Sequence, residues 1–454
     1  MKPSLPQGSR DFGSHILGKR KFILNTIQRV FELYGFEPLE TPAMENLETL
    51  TGKYGDEGDK LIFKILNNGL DNPAKVEDAR ANFENILSGK NEKRITERAL
   101  RYDLTIPFAR YVAMNFNNLT IPYKRYQVQP VWRADRPQKG RYREFYQCDA
   151  DVAGTHSLIS DVEFAQIYTD VFQKLKVDTD IKINNRKILS ALAEVCGNTD
   201  KLTLITVIID KLDKIGLEKV VQELESIGLN ETAVQMINDY LQIKGNNFEK
   251  IAAVENIVGK SETGRKGIEE LKFILEYIDA EKYPVLIDFT LARGLNYYTG
   301  TIYEVSARNV KMGSIGGGGR YDDLTGLFGV PNVPGVGISF GLDRIYDVME
   351  ELGLFPINIE TVTKVLFFNL GENESKFAYK IMQDCRKEGI SAELFYENIK
   401  LDKQFKYATK KNIPFIVIIG SAEMDSMECV VKELATGIQE KMKINQLNNY
   451  LKNH

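Results

Sequence analysis

Residues 133–151 have the sequence RADRPQKGRYREFYQCDAD, and the predicted fold is built around this stretch. It follows Tyr123–Trp132, a segment rich in aromatic and β-branched residues that predicts a strand. Phe145–Val152 predicts the antiparallel partner of that strand. The two segments therefore form a hairpin whose connecting loop is strongly basic.

Polar side chains gather on one face of this hairpin. Because side chains alternate across a strand, Gln147, Asp149 and Asp151 share a face. Guanidinium groups bind phosphates through two parallel hydrogen bonds, and carboxylates hold amines, so a substrate with phosphates and an ammonium group would suit this surface. A solvated hairpin with cross-strand ion pairs is the commoner interpretation of an isolated charged hairpin. The cations at the strand end and in the turn are Arg133, Arg136, Lys139, Arg141 and Arg143.

A second polar cluster is LARGLNYYTGTIYE, residues 291–304, which follows the apolar, strand-like run Val285–Phe289. It places Arg293 at the end of a buried strand. A charge in that position is costly unless it has an anionic partner, either a neighbouring carboxylate or a bound ligand. The cluster therefore indicates either an internal ion pair or an anion-binding site.

A third cluster begins with a run of four glycines, Gly316–Gly319, and ends in a strand that leads into a helix. The predicted strand Gly335–Phe340 runs directly into a helix at residues 341–344, which puts Arg344 in the first helical turn. Backbone donors and the helix dipole favour anions there, so a phosphate could be held jointly by them and the guanidinium. Taken alone, the glycines are also compatible with tight backbone packing, and the arginine with a surface position.

The composition is that of a folded protein with several domains. A length of 454 residues suggests two to four domains, and 43% hydrophobic residues suffice for a packed core. No sequence window is apolar enough to span a bilayer, and the first residues, MKPSLP, lack the apolar stretch of a signal peptide. We therefore expect a cytoplasmic protein that does not contact membranes.

The cysteines and histidines do not indicate a metal site. The four cysteines and three histidines are scattered, so neither a disulfide framework nor a metal held by cysteine or histidine clusters is expected. The net charge of −4 does not indicate general attraction to nucleic acid. Any contact with RNA would have to rely on local basic patches.

Together these segments resemble the signature motifs of the histidyl-tRNA synthetase family, within the class II aminoacyl-tRNA synthetases. Residues 36–42, FEPLETP, resemble the first class II motif, the hairpin at Arg133 the second, and Gly335–Arg344 the third. The sequences RGLNYY, starting at Arg293, and GGGGRYD, residues 316–322, resemble the two histidine-specific signatures. The resemblance spans nearly the whole chain.

The resemblance implies an α+β fold, with an antiparallel class II sheet and flanking helices. Residues 1–170 and 281–350 would form the catalytic domain, with a helix near residues 19–34 and a polar surface insertion at 67–97. Periodic Leu, Ile and Val residues predict a helical insertion domain over 171–280, which in the family reaches the acceptor arm of tRNA but could be purely structural. Alternating strands and helices over 364–420 predict an α/β domain with a parallel or mixed sheet, assigned to residues 361–454, and residues 400–420 resemble the family's anticodon-binding domain.

The implied activity is ATP-dependent activation of L-histidine to histidyl-adenylate, followed by transfer of histidine to the 3′ end of tRNA(His). The resemblance also implies that ATP is a substrate, that Mg²⁺ is a cofactor and that the protein is a homodimer. By resemblance, Arg133 and Arg293 are catalytic and bind the α-phosphate from opposite sides, while Arg344 binds the γ-phosphate. No general base is required, because the histidine carboxylate is already ionised at neutral pH.

The resemblance also assigns residues to histidine and to tRNA. Asp103 stands in RYDLT, where many bacterial relatives have RPEGT, so its carboxylate is carried on a shorter arm. By resemblance, Asp151 and Tyr298 bind the imidazole, and Tyr297 lies beside them. The positions matching the ammonium site are Asp103, Thr105 and Gln147, and those matching tRNA contacts are Arg136, Gln138 and Lys139.

Two alternatives remain at this point. One is a histidine-binding regulatory paralogue that serves the ATP phosphoribosyltransferase complex of histidine biosynthesis and does not charge tRNA. Such paralogues usually lack the C-terminal domain and lose the motif arginines, whereas this chain has Arg133, Arg293 and Arg344. The other is the same chemistry with another amino acid, such as threonine or proline, which fits poorly with the signatures at Arg293 and Arg320.

Overall fold

A computed structural model of the chain describes residues 2–52, 58–74, 76–292, 297–356 and 362–454. It divides into two compact units, which are described separately. The first contains Met1–Asp11 and Phe22–Leu354, and the second contains Phe12–Lys21 and Phe355–His454. Among the residues described, no helix combines the length and apolar character needed to cross a bilayer.

The first unit is organised around a large sheet. In chain order its strands and those of a small side sheet are β1 (Glu37–Pro38), β2 (Met44–Asn46), β3 (Lys64–Ile65), β4 (Arg98–Leu100), β5 (Tyr123–Trp132), β6 (Glu144–Ala153), β7 (Thr179–Asn185), β8 (Leu286–Ile287), β9 (Thr301–Ala307), β10 (Gly316–Tyr321) and β11 (Gly335–Gly341). The large sheet has the order β1-β5-β6-β11-β10-β9-β7-β8, and β2-β4-β3 form the side sheet. From β5 through to β7 in that order, neighbouring strands of the large sheet are antiparallel, and β1 and β8 join its two ends as parallel strands. The predicted α+β fold with an antiparallel sheet is confirmed.

Helices of the first unit pack on this sheet through apolar faces. The helix predicted near residues 19–34 extends over Ser14–Leu33, and its Ile23, Ile27 and Val30 are fully buried. Phe31 from the same face lies 5.7 Å from the ring of Tyr126 on β5. The other helices beside the sheet and its loops are Leu47–Leu50, Thr105–Asn115, Ile159–Leu175 and Leu342–Glu351.

The helical run of the first unit begins later than the sequence suggests. Helix Ile159–Leu175 continues past residue 170, and β7 is a strand of the large sheet, so the helices start at Arg186 instead of 171. The reason is that β7 buries Ile181 and Ile183 at a spacing of two, whereas the prediction counted its apolar residues towards helices. The helices are Arg186–Val195, Leu202–Ile209, Leu212–Ile215, Leu217–Ser226, Glu231–Leu241, Asn247–Val258 and Glu262–Tyr277. The division into domains otherwise stays a prediction.

The polar stretch 67–97 contains one further helix, Val76–Leu87. Each of its residues is at least partly exposed, so the helix lies on the surface. This agrees with the expectation of a partly helical surface insertion.

The second unit is an α/β sheet covered on both faces. Its strands are β12 (Val365–Phe367), β13 (Ala392–Leu394), β14 (Phe415–Ile418), β15 (Glu428–Glu433) and β16 (Gln439–Lys443), and its helices are Glu372–Lys387, Leu401–Lys410, Ser421–Ser426 and Ile444–Asn453. The order is β13-β12-β14-β15-β16, parallel across the first three strands and antiparallel after them. Val365 and Phe367 pack against one set of helices and Leu366 against another. The predicted mixed sheet is confirmed.

The glycines of β10 differ in how closely the neighbouring strand approaches them. A Cβ added to Gly318 would lie 2.2 Å from the carbonyl oxygen of Gly337 on β11. A Cβ added to the adjacent Gly317 would have its nearest contact at 3.3 Å, with the carbonyl oxygen of Tyr303. Gly318 is therefore required by the packing of β10 against β11, whereas Gly317 leaves some room.

We predict that Gly318→Ala destabilises the first unit much more than Gly317→Ala. The added methyl group at Gly318 meets backbone atoms, which cannot rotate away, so the strands must separate; overpacking of this kind typically costs about 1–3 kcal/mol. Thermal or urea unfolding of the two variants beside the unchanged protein measures the difference. Equal stability of the two variants would contradict the close approach of β10 to β11 at Gly318.

Candidate active site

A cleft of about 280 Å³ opens where β6, β10 and β11 meet the hairpin loop and the first turn of helix Leu342–Glu351. Seven of the residues predicted from the sequence line it: Asp103, Thr105, Arg133, Gln147, Tyr297, Tyr298 and Arg344. The structure thus brings these seven residues, predicted to bind phosphate or histidine, onto one surface. Arg293, predicted to be catalytic, lies outside the residues that the structure describes.

Arg133 is oriented by its surroundings. Its Nε donates a hydrogen bond to the carbonyl oxygen of Tyr102 at 3.1 Å. Its guanidinium carbon lies 4.3 Å from the ring centre of Tyr102 and 5.1 Å from that of Phe145, so the planar group lies close to two aromatic rings. The hydrogen bond to this carbonyl oxygen fixes the direction of the guanidinium without cancelling its charge.

Arg344 projects from the first turn of its helix towards the hairpin loop. Its Nε donates to the carbonyl oxygen of Gly140 at 2.7 Å, and its Nη1 to that of Ser314 at 2.6 Å. The preceding Asp343 accepts a hydrogen bond from the backbone nitrogen of Tyr146 at 3.0 Å, which ties the helix start to β6. The predicted strand-to-helix transition is confirmed, since β11 ends at Gly341 and the helix begins at Leu342.

Several further polar groups line the same cleft. Gln147 donates from Nε2 to the hydroxyl of Ser339 at 2.9 Å, and its Oε1 has no hydrogen-bond partner among the described residues. Asp103 caps the helix Thr105–Asn115, because its Oδ1 accepts from the backbone nitrogen of Ile106 at 3.2 Å. Burial, followed by the charge of Asp151, raises the pKa of Tyr298, so its hydroxyl stays protonated and can donate.

Asp151 does not line the cleft. Its side chain is 1% exposed, its Oδ1 accepts from the hydroxyl of Tyr321 at 2.6 Å, and its Oδ2 lies 2.9 Å from Nη2 of the buried Arg125. The structure therefore pairs this carboxylate with Arg125 and Tyr321, while its Oδ2 has no hydrogen-bond partner among the described residues. Its expected contact with an imidazole ring stays a prediction.

Asp149, two residues earlier on β6, does line the cleft. It lies opposite Ser339 of β11 and Gln127 of β5 in the sheet. Burial and then the nearby Asp151 raise the pKa of Asp149 to about 7. Sequence reasoning placed Asp149 on the same face as Gln147 and Asp151 but assigned it no function, and the alternation along β6 was the available signal.

The three residues expected to contact tRNA are exposed on the hairpin loop. Arg136, Gln138 and Lys139 are all accessible to a large partner and do not line the cleft. Lys139 forms an ion pair with Glu351 at 2.7 Å, on the helix that carries Arg344. This ion pair connects the hairpin loop to the C-terminal end of that helix.

Arg320, from the glycine-rich signature, belongs to the interior. It is 2% exposed, forms an ion pair with the buried Asp161, and donates to the carbonyl oxygens of Thr155 at 3.2 Å and Ser157 at 3.0 Å. These contacts join β10 to the segment before helix Ile159–Leu175. Its burial and these contacts indicate that Arg320 has a structural function.

We predict that Arg320→Ala destabilises the first unit strongly, because Asp161 would remain buried without its cation. Removing one partner of a buried ion pair typically costs about 3–5 kcal/mol. Arg308→Ala is a suitable control, since Arg308 pairs with Asp180 at 2.8 Å on the surface, where such pairs contribute at most about 1 kcal/mol. Thermal unfolding of both variants provides the comparison, and similar melting temperatures would contradict the structural function of Arg320.

Comparison with known proteins agrees with this arrangement. The family model described as "Histidyl-tRNA synthetase" matches residues 92–345, and the one described as "Anticodon binding domain" matches residues 364–454. The "Histidine--tRNA ligase" of Christiangramia forsetii is 54% identical, over 99% of this chain and 99% of that protein. The crystal structure of histidyl-tRNA synthetase from Nostoc sp. PCC 7120 is 32% identical, covers 100% of this chain and 99% of its own, and superposes with a TM-score of 0.84.

A more distant structure shares the fold alone. It is described as an ATP phosphoribosyltransferase regulatory subunit/histidyl-tRNA synthetase from Bacillus halodurans. Its sequence is 20% identical, it covers 92% of this chain and 100% of its own, and its TM-score is 0.72.

Proposed function

The chain belongs to the histidyl-tRNA synthetase family, and we propose that it activates L-histidine with ATP and transfers it to the 3′ end of tRNA(His). The observation that carries this proposal is the cleft, where Arg133 and Arg344 share one surface with Gln147, Tyr297 and Tyr298. Such a surface can hold polyphosphate beside a polar amino acid. The enzyme is a histidine–tRNA ligase of class II.

In the first step the histidine carboxylate attacks the α-phosphorus of ATP. A carboxylate–phosphorus bond forms, the bond to the bridging oxygen breaks, and pyrophosphate leaves with the electron pair. Since two anions must be brought together, the main task of the protein is to align them and to neutralise the charge that develops on phosphorus. The orientation of Arg133 by Tyr102 and Phe145 supports its assignment to the α-phosphate.

Arg344 is proposed to bind the γ-phosphate. Its position in the first turn of a helix supports this, because the helix dipole adds to the attraction for an anion. To bind phosphate, the guanidinium would exchange its bonds to the carbonyl oxygens of Gly140 and Ser314 for charged acceptors. Hydrogen bonds between ionised groups are the stronger ones, which favours this exchange.

Mg²⁺ is proposed to enter with ATP. This ion prefers oxygen ligands and usually keeps several waters beside substrate phosphates. Asp135 lines the cleft and could supply one such oxygen, with the substrate phosphates and waters as the remaining ligands. Bound there, Mg²⁺ would neutralise phosphate charge alongside the arginines.

Histidine is proposed to bind in the same cleft beside the phosphates. Gln147, with its unpartnered Oε1, and the helix start at Asp103 and Thr105 are suited to the ammonium group. Tyr297 and Tyr298, whose rings lie 5.0 Å apart edge to face, would contact the imidazole. Asp151 is proposed to bind the imidazole together with Tyr298, since its Oδ2 has no hydrogen-bond partner among the described residues, while Tyr321 and Arg125 lie beside its carboxylate.

The second step requires tRNA, and several further features are proposed for it. Residues 364–454 would bind the anticodon, in keeping with the family model that they match. The exposed Arg136, Gln138 and Lys139 would contact the end of the acceptor arm, with the helices between residues 186 and 277 as a further candidate contact. We also propose that the enzyme works in the cytoplasm as a homodimer.

The regulatory alternative is not favoured. Proteins named histidine–tRNA ligase are about 50% identical to this chain over almost its whole length. The matched length includes the residues that match the anticodon-binding domain model. The structure described as a regulatory subunit is only 20% identical and indicates a common fold.

The test of the proposed function is exchange of labelled pyrophosphate into ATP, measured with each of the twenty amino acids in turn. Histidine alone should support rapid exchange, and the protein should also charge tRNA(His). Exchange with threonine or proline but not histidine would reject the assignment of the substrate. Histidine binding without exchange or charging would support the regulatory alternative instead.

Arg293 gives a prediction that rests on the resemblance of the motif RGLNYY to the family signature. If it stabilises the charge that develops at the α-phosphate, Arg293→Ala should lower the rate of adenylate formation, roughly a hundred- to a thousandfold, more than it weakens ATP binding. Arg293→Lys should recover part of the loss, since it restores the charge without the planar fork. Single-turnover adenylate formation and the melting temperature are measured on the same samples. A folded alanine variant with a near-normal rate would remove Arg293 from the mechanism.

A further inference from the structure

Helix Leu342–Glu351 contacts the hairpin loop, residues 133–143, through a stripe of acidic side chains. The stripe consists of Asp343, Asp347 and Glu351, which lie four residues apart and therefore share one face of the helix. Each of them contacts the hairpin loop or the first residues of β6. The contacts are those of Asp343 with the backbone nitrogen of Tyr146 at 3.0 Å, Asp347 with the hydroxyl of Tyr142 at 2.9 Å, and Glu351 with Lys139 at 2.7 Å.

Arg10 joins this stripe from the N-terminal segment, residues 7–11, which precedes the first helix. Its guanidinium forms an ion pair with Asp343. The guanidinium carbon also lies 3.3 Å from the ring centre of Tyr142, so the cation lies over the ring whose hydroxyl binds Asp347. A single side chain thus contacts both the helix and the hairpin loop.

The backbone of the N-terminal segment runs beside the hairpin loop. The backbone nitrogen of Arg143 donates a hydrogen bond to the carbonyl oxygen of Gly8 at 3.1 Å. A Cβ added to Gly8 would lie 2.7 Å from Cγ of Arg143, so the segment and the loop are in close contact. Arg10 is therefore kept next to the loop by the chain that carries it.

The hairpin loop supplies part of the cleft wall. Gly140, Arg141 and Tyr142 all line the cleft. The carbonyl oxygen of Gly140 also accepts a hydrogen bond from Nε of Arg344 at 2.7 Å. The position of the loop therefore decides where Arg141 and Arg344 present their charges.

The ion pairs at the two ends of the acidic stripe differ in strength. Lys139 and Glu351 are 69% and 44% exposed, and exposed ion pairs contribute little to stability. Arg10 and Asp343 are 27% and 4% exposed, so solvent and salt screen their attraction less. The pair that contains Arg10 is therefore the firmer of the two.

We infer that Arg10 is a positioning residue for ATP, which holds the hairpin loop against helix Leu342–Glu351 and so fixes the phosphate-binding part of the cleft. It acts through Tyr142 and Asp343, which both line the cleft, and is not itself one of the lining residues. The inference rests on the proposed function, and it adds a residue that lies outside the motifs noted in the sequence.

The first experiment measures pyrophosphate exchange by the full-length protein and its Arg10→Ala and Arg10→Lys variants, with ATP and histidine varied in turn. Arg10→Ala should raise the KM for ATP roughly 5- to 30-fold, because it removes a cation–ring contact and a partly buried ion pair together. The KM for histidine should stay nearly unchanged. Arg10→Lys keeps the charge but loses the planar group, so it should show a smaller change in the same direction. It also decides the matter if Arg10→Ala does not fold.

Arg110→Ala is the matched control. Arg110 pairs with Glu45 at 2.8 Å, and the two side chains are 20% and 6% exposed, so this pair is buried to a similar extent as that of Arg10. Neither residue lines the cleft. The control variant should lose at least as much thermal stability as Arg10→Ala, while its KM for ATP stays unchanged.

Limited digestion with trypsin reports on the hairpin loop without reference to activity. Trypsin cleaves after lysine and arginine, and the loop offers Lys139, Arg141 and Arg143. Because a loop is cut as it opens, Arg10→Ala should be cleaved at these sites several-fold faster, with no change at sites elsewhere. Saturating ATP should slow this cleavage again. Mass spectrometry of the fragments identifies the sites.

A folded Arg10→Ala protein in which either the KM for ATP or the cleavage of the hairpin loop is unchanged would overturn the inference. An equal rise of both KM values, or faster cleavage throughout the chain, would also overturn it, since these results indicate a general loss of structure. Absence of exchange in the unchanged protein would instead reject the proposed function, and tryptic cleavage would still show whether Arg10 holds the loop.

Discussion

The pairing of β6 with β11 is the constraint on which the site depends. It sets Gln147 opposite Gly341 and Asp149 opposite Ser339, and so fixes the second predicted motif against the third. Because β11 ends at Gly341 and the helix begins at once, the same register decides where Arg344 enters the cleft. A shift of one residue would turn the polar face of β6 away from the cleft altogether.

The first motif is joined to this arrangement by a buried arginine. Arg101 is 1% exposed and donates to the carbonyl oxygen of Thr41 at 2.7 Å and to that of Pro130 at 2.8 Å. It thereby links the segment after β1 to the strand that leads to Arg133. Backbone carbonyls satisfy its donors, but the lost hydration still lowers the pKa of Arg101 to about 10.

The sequence predicted those parts of the site that local patterns determine. Tyr123–Trp132 and the neighbouring strand were found because alternation, aromatic content and a basic turn all lie within one stretch of chain. The strand Thr179–Asn185 was missed because its two buried isoleucines were counted with the helices that follow. The sequence pattern did not predict β15, β16 or the helix Ile444–Asn453. Yet β15 contributes the buried Cys429 and Val431 to the hydrophobic core of the second unit.

The functions of the acidic residues on β6 could not be decided in the same way. Alternation puts Gln147, Asp149 and Asp151 on one face, but it does not indicate which neighbour stands beside each of them. That depends on β5, which brings Arg125 opposite Asp151, and on β10, which brings Tyr321 to the same carboxylate. Residues that are equivalent by pattern therefore differ by their partners across the sheet.

The kind of partner also distinguishes the arginines of this protein. Arg125 and Arg320 are paired with buried carboxylates, which cancel their charge and commit them to the interior. Arg133 is instead directed by a carbonyl oxygen and two aromatic rings. A carbonyl dipole orients a guanidinium but leaves its net charge in place, so the field of Arg133 still acts on an anion in the cleft. If the cleft catalyses the proposed adenylyl transfer, the charge that stabilises it must be fixed before the substrate arrives, and orientation by neutral groups would preorganise the cleft in this way.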